Sequence, residues 1–110
     1  MKTPTYITIV KEDSIVLKGL TNEIKEKLKE SNLIVSTNLL LEKVINFKNK
    51  DEKNSILLKL NDLGILFGED YKQGWSPAEI MRDLQDKNLL QKSFKSIYWT
   101  GVDQWKTKEN

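Results

Sequence analysis

The chain has 110 residues, 38% hydrophobic and 31% charged, which suits a single domain over 1–110 with one real core rather than a disordered segment. It contains neither histidine nor cysteine, which excludes disulfides, thiolate nucleophiles, Cys/His zinc sites and the usual proton shuttle near neutral pH. Eighteen basic against sixteen acidic residues leave a net charge of +2, far from a strongly basic nucleic-acid binder, and Arg82 is the one arginine.

In chain order, Tyr6-Ile7-Thr8-Ile9-Val10 and Ile15-Val16-Leu17 are β-branched and aromatic runs around a polar Lys11–Ser14 stretch, the pattern of a hairpin. Gly19 closes the second strand. Leu20, Ile24 and Leu28 then repeat at helical spacing, with Thr21 or Asn22 as the cap and Asn32 as the stop. Leu33-Ile34-Val35 reads as a short strand. Ser36 and Thr37 offer caps for a second helix, whose stripe is Leu40, Leu41, Val44 and Ile45, extended by Phe47 or Lys48. A third helix starts near Asp51, carries Ile56, Leu57, Leu60 and Leu63, and stops at Gly64.

Gly68 to Gly74 reads as a loop bounded by glycines. Ser76, Pro77 and Glu79 then form a capping box with proline at the first helical position, and Trp75 and Ile80 have the spacing of a hydrophobic staple. Ile80, Met81 and Leu84 form the buried side of this fourth helix, which Asn88 ends. Phe94 to Thr100 is strand-like, Gly101-Val102-Asp103 is a turn, and Gln104 to Thr107 returns, with the last residues expected to fray. The fold expected is α+β: a small antiparallel sheet, made of the N-terminal hairpin and C-terminal strands, packed against about four helices.

The start of the chain lacks an apolar signal core, and the longest apolar runs are three residues, as at Leu39–Leu41 and Ile65–Phe67. A cytoplasmic protein without a membrane partner is the expectation.

Catalytic constellations are sparse. Asp62, an apolar stretch and Asp70-x-Lys72 have the outline of a metal-dependent nuclease, in which two acids hold the ion and a lysine assists the water. Acid-x-Lys triplets also occur at Glu23-x-Lys25 and Asp51-x-Lys53, no more often than chance placement of these residue types would produce. Adjacent Glu69 and Asp70 read as a solvated loop doublet, and Arg82 as a helix-surface partner of Glu79 or Asp86. No enzyme activity, cofactor or metal is therefore expected.

Aromatic residues are distributed less evenly. Seven of the nine fall between Phe67 and Trp105, and a strand through Tyr98 and Trp99 must point them to opposite faces. The expectation is a non-catalytic protein-binding module of the inhibitor, immunity or adaptor type. Its binding residues would be Tyr71, Lys72, Tyr98, Trp99 and Trp105. The alternative is a nucleic-acid binder, winged-helix-like or stacking on RNA, using a basic aromatic C-terminal hairpin with Lys92, Lys95, Lys106 and Lys108. Against it, the helix that would read DNA carries Glu79, Asp83 and Asp86.

Overall fold

A computed structural model describes residues 4–69 and 75–110. Seven strands form one mixed sheet: β1 (Tyr6–Val10), β2 (Ser14–Lys18), β3 (Ser36–Thr37), β4 (Lys43–Asn46), β5 (Leu66–Gly68), β6 (Lys95–Gly101) and β7 (Gln104–Glu109). Three helices are interleaved, α1 (Asn22–Glu30), α2 (Lys50–Asp62) and α3 (Pro77–Asp86). The strand order is β3-β4-β2-β1-β5-β6-β7, with β1–β5 and β5–β6 parallel and the other pairs antiparallel. The fold is α+β as expected. Two of its finer expectations are corrected: there are three helices among the described residues, not about four, and the sheet is mixed and larger than a small antiparallel one.

Local chemistry explains the helices that form. Thr21, Asn49 and Ser76 are the N-caps, and each accepts from the backbone N–H three residues on, at 3.2, 2.8 and 3.2 Å. At the other ends Asn32, Gly64 and Asn88 take positive φ values of 61°, 81° and 59°. Leu33, Ile65 and Leu89 then donate back to Leu28, Leu60 and Leu84 at 2.9, 3.1 and 2.9 Å, closing a Schellman turn on every helix. The Trp75–Ile80 staple is not realised as a buried contact, because Trp75 stays 59% exposed beside Glu79, Arg82 and Asp83.

The helix expected over the Leu40–Phe47 stripe is replaced by the β3–β4 hairpin. Val44 and Ile45 are both buried, but adjacent in a strand they serve opposite faces. Asn38 also offers its side chain to the backbone N–H groups of Leu40 and Glu42, a local alternative to helical bonding.

All three helices cover one face. Leu28 of α1, Ile56, Leu57 and Leu60 of α2, and Met81 and Leu84 of α3 join Ile7, Ile15, Leu17, Ile45 and Phe67 in one buried cluster. The opposite face carries a smaller cluster of Tyr6, Leu66 and Ile97, flanked by half-buried Trp99 and Trp105. A bulge at Thr8 shifts the β1–β2 register, so Ile9 faces Val16 while Val10 returns to the helix side.

Strand β5 escaped sequence reading because Ile65, Leu66 and Phe67 are buried on both sides and show no alternation. Gly68, expected to open a loop, instead ends this strand. A Cβ there would lie 2.8 Å from the Ile7 carbonyl oxygen, so the glycine permits the close approach of β5 to β1. Gly68→Ala should therefore lower stability by about 1–3 kcal/mol, read as a shift of the urea midpoint at constant slope.

Candidate functional site

The structure brings together only part of the expected aromatic surface. Trp99 and Trp105 face each other across β6 and β7, and Trp99 meets the Tyr6 ring edge-on at 6.0 Å and 63°. Both tryptophans are half-buried against the Tyr6 cluster. Tyr98, also half-buried, stands on the opposite, helix-bearing face by strand alternation. Tyr71 and Lys72, with Asp70 of the nuclease-like outline, lie outside the described residues.

The four lysines of the alternative reading do not share one face. Lys92 is paired with Asp62 at 3.1 Å. Lys95 stands on the Trp99 side of β6, opposite Glu109, whereas Lys106 and Lys108 are opposite Tyr98 and Ser96. The C-terminal residues expected to fray are instead in the sheet: β7 extends to Glu109, and Asn110 exchanges backbone hydrogen bonds with Phe94 at 3.1 and 2.9 Å.

Arg82 and Glu69 also have different partners from those expected. Arg82 donates to Glu69 at 2.6 Å and to the Asn110 amide oxygen at 2.9 and 3.1 Å. Ser96 donates to the other Glu69 oxygen at 2.7 Å, and Asn110 donates to Ser96 at 3.1 Å. Partial burial pushes the Glu69 carboxyl up, but the bonds from Ser96 and Arg82 and the charges of Arg82 and Lys108 outweigh it and hold the group below its ordinary value. The cluster ties α3, β6 and the end of β5 together, a structural role.

Replacing Arg82 by Met should cost about 1–2 kcal/mol, a charged hydrogen bond discounted for partial exposure. The pH dependence follows from the lowered value. The contribution of ionised Glu69 is fully present above the ordinary carboxylate range and is lost as pH falls through the depressed value. The stability difference between wild type and Glu69→Gln should stay flat from neutral to mildly acidic pH and shrink only in strong acid, as chemical denaturation at each pH will show.

The least explained surface lies at the tip of the β3–β4 hairpin. Leu39, Leu40 and Leu41 are 101%, 75% and 81% exposed, and Ile34 nearby in sequence is 81% exposed. The tip is nevertheless built. The Asn38 side-chain oxygen accepts from the Leu40 and Glu42 amides at 3.0 and 2.9 Å. The Leu41 amide donates to the Asn38 carbonyl at 3.0 Å, and the Asn38 amide to the Glu42 carbonyl at 3.1 Å. One Glu42 carboxylate oxygen accepts from both the Asn38 amide group and Lys11, each at 2.9 Å. The Asn38 hydrogen bond first, then Lys11 and the nearby charge of Lys18, hold the Glu42 carboxyl below its ordinary value.

Leu41 adopts φ 62°, the left-handed region, which costs an L-residue with a Cβ roughly 1–2 kcal/mol. Neither conformation nor burial accounts for leucine there. Glycine or asparagine would fold more easily, and the side chain is 81% exposed and belongs to neither buried cluster. Sequence reading missed this site because Leu40 and Leu41 fit a buried helical stripe. The available signal was Asn38, correctly spaced to bond the amides two and four residues later.

Asn38→Ala should raise the hydrogen-exchange rates of the Leu40 and Glu42 amides by about fivefold, the equivalent of one hydrogen bond of roughly 1 kcal/mol. Exchange in α2 should not change, because the tip lies outside the core.

Comparison with protein-family models, curated proteins and solved structures gives no match. Among the described residues, no helix is long and apolar enough to cross a membrane.

Proposed function

We propose that this chain is a non-catalytic protein-binding module, of the kind that inhibits, neutralises or adapts another protein, and that the Leu39–Leu41 tip is its principal contact. The observation that carries the reading is Leu41: a large apolar side chain kept in a left-handed conformation, 81% exposed, on a turn fastened by Asn38, Glu42 and Lys11. Strain retained at a site where folding gains nothing points to use by a ligand. An ordered turn also loses less conformational entropy on binding than a mobile one would.

This moves the centre of the proposed surface away from the C-terminal aromatics. Trp99 and Trp105 are half-buried in a cluster of their own, which gives them a packing role as well as an edge that a partner can reach. Among the described residues, the carboxylates held below their ordinary range, Glu42 and Glu69, are both engaged in fastening structure, which supports a binding rather than a catalytic role.

Affinity capture from the native cell, with mass spectrometry and nucleic-acid recovery in parallel, tests the proposal. The expected result is a discrete protein enriched over the bead control and insensitive to nuclease. Recovery of nucleic acid with no enriched protein would overturn it.

A further inference from the structure

Resting on the reading that the hairpin tip meets a protein, we infer that the cleft beside it receives an acidic segment of that partner bearing one large apolar side chain. The cleft lies between α1 and the β3–β4 hairpin and has a volume of about 410 Å³. Its lining combines apolar Leu33, Ile34 and Val35, of which Leu33 is buried and Ile34 exposed, with Lys25, Lys29 and Lys43. Among the described residues, no acidic side chain lines it. Thr37 and Lys43, which pair across the hairpin immediately below the tip, also belong to the cleft, so the socket is continuous with the projecting leucines.

The charges set the partner's chemistry. Lys25 and Lys29 are one helical turn apart, a like-charge spacing that weakly destabilises a helix. Neither forms an ion pair among the described residues, although Lys27 on the same helix pairs with Glu23 at 3.8 Å. Lys43 is held by the Thr37 hydroxyl at 2.7 Å and has no carboxylate partner among the described residues. Three lysines without a carboxylate partner among the described residues, beside an apolar lining, favour carboxylates around a hydrophobic anchor. A second copy of the tip is a poor occupant, since its neighbours include Lys18 and Lys43 and like charges would meet. A bilayer accounts for projecting leucines and lysines, but a concave socket beside them suits a protruding side chain, which a protein supplies.

The probe is a capped hexapeptide, Asp-Glu-Leu-Phe-Glu-Asp, titrated into the full chain while backbone amide resonances are followed. Shifts are expected at residues 25–29 and 33–37 and at Lys43. Binding should weaken as salt rises, fall at least tenfold for Lys25→Glu/Lys29→Glu, and vanish when the acids of the peptide are replaced by lysine. No shift at millimolar peptide, or shifts centred elsewhere, would overturn the inference. So would association with phosphatidylserine vesicles in place of the peptide, or peptide-independent self-association through the acidic surface of α3 near Trp75. The two readings remain separable. A tip variant with Leu39 and Leu40 changed to serine should still bind the peptide. Peptide binding without any tip-dependent capture would count against the tip alone, and tip-dependent capture without peptide binding would count against the cleft alone.

Discussion

A variant carrying Leu39→Ser, Leu40→Ser and Leu41→Asn is expected to lose partner capture by at least about 100-fold, or about 2.7 kcal/mol, while folding as well as the wild type. Burying one leucine is worth roughly 1.5–3 kcal/mol relative to exposure, so even a contact that engages only two of the three reaches this figure after ordering costs. Stability should fall by no more than about 0.5 kcal/mol, because the removed side chains are 101%, 75% and 81% exposed and belong to neither buried cluster, and relief of the left-handed cost at position 41 acts in the stabilising direction. Asparagine is chosen at position 41 because it tolerates the φ of 62° observed there. Leu41→Gly separates conformation from contact. It relieves the left-handed cost, partly offset by the entropy of glycine in the unfolded chain, so stability should equal or exceed that of wild type while capture weakens. Isothermal titration with the captured protein and urea unfolding of each variant give the two readouts. A triple variant that binds normally would remove the tip from the interface.

The second large effect concerns the core. Phe67→Ala is expected to cost about 3–5 kcal/mol, a large fraction of the stability of a small domain. Phe67 is fully buried on β5, which pairs in parallel with both β1 and β6, and its ring meets Phe94 edge-on at 5.7 Å and 84°. Removing it opens a void where the two halves of the sheet join and where Ala78, Met81 and Leu84 of α3 enter the same cluster. Circular dichroism should show a large fall in midpoint temperature, and Phe67→Leu should recover most of the loss because it keeps much of the volume. If Phe67→Ala unfolds at the wild-type temperature, β5 is not the keystone of the sheet.

How far the sequence could be read depended on whether each signal was local. The cap at Ser76, the stops at Asn32, Gly64 and Asn88, and the N-terminal hairpin rest on neighbouring side chains and turn chemistry, and all are visible as patterns. What could not be read depends on distant contacts. The parallel pairing of β5 with β1 and β6 leaves no trace in a three-residue apolar run. Val44 and Ile45 fit a helix stripe as well as a strand buried on both faces, and the choice is made by pairing with Val16 and Ile15. Arg82 finds Glu69 and Asn110 rather than its helical neighbours, because α3 packs over the strand that ends beside Glu69.

The candidate site was obscured for the same reason. Trp99 and Trp105 were singled out as aromatics, yet they complete the Tyr6 cluster on the second face. The three leucines that project from the molecule looked like core. Hydrophobicity alone cannot separate a buried stripe from a displayed one. The separating feature is Asn38, whose side chain competes with helical bonding for the backbone of the next four residues.

The most direct test of the displayed tip places a photoreactive amino acid at position 40 in the native cell, with a second variant carrying it at Val102, a still more exposed apolar residue in the β6–β7 turn at the opposite end of the sheet order. Illumination at position 40 should give one discrete protein adduct, and at position 102 none. Adducts at both positions alike, or at position 102 alone, would contradict the assignment of Leu39–Leu41 as the surface that meets a partner.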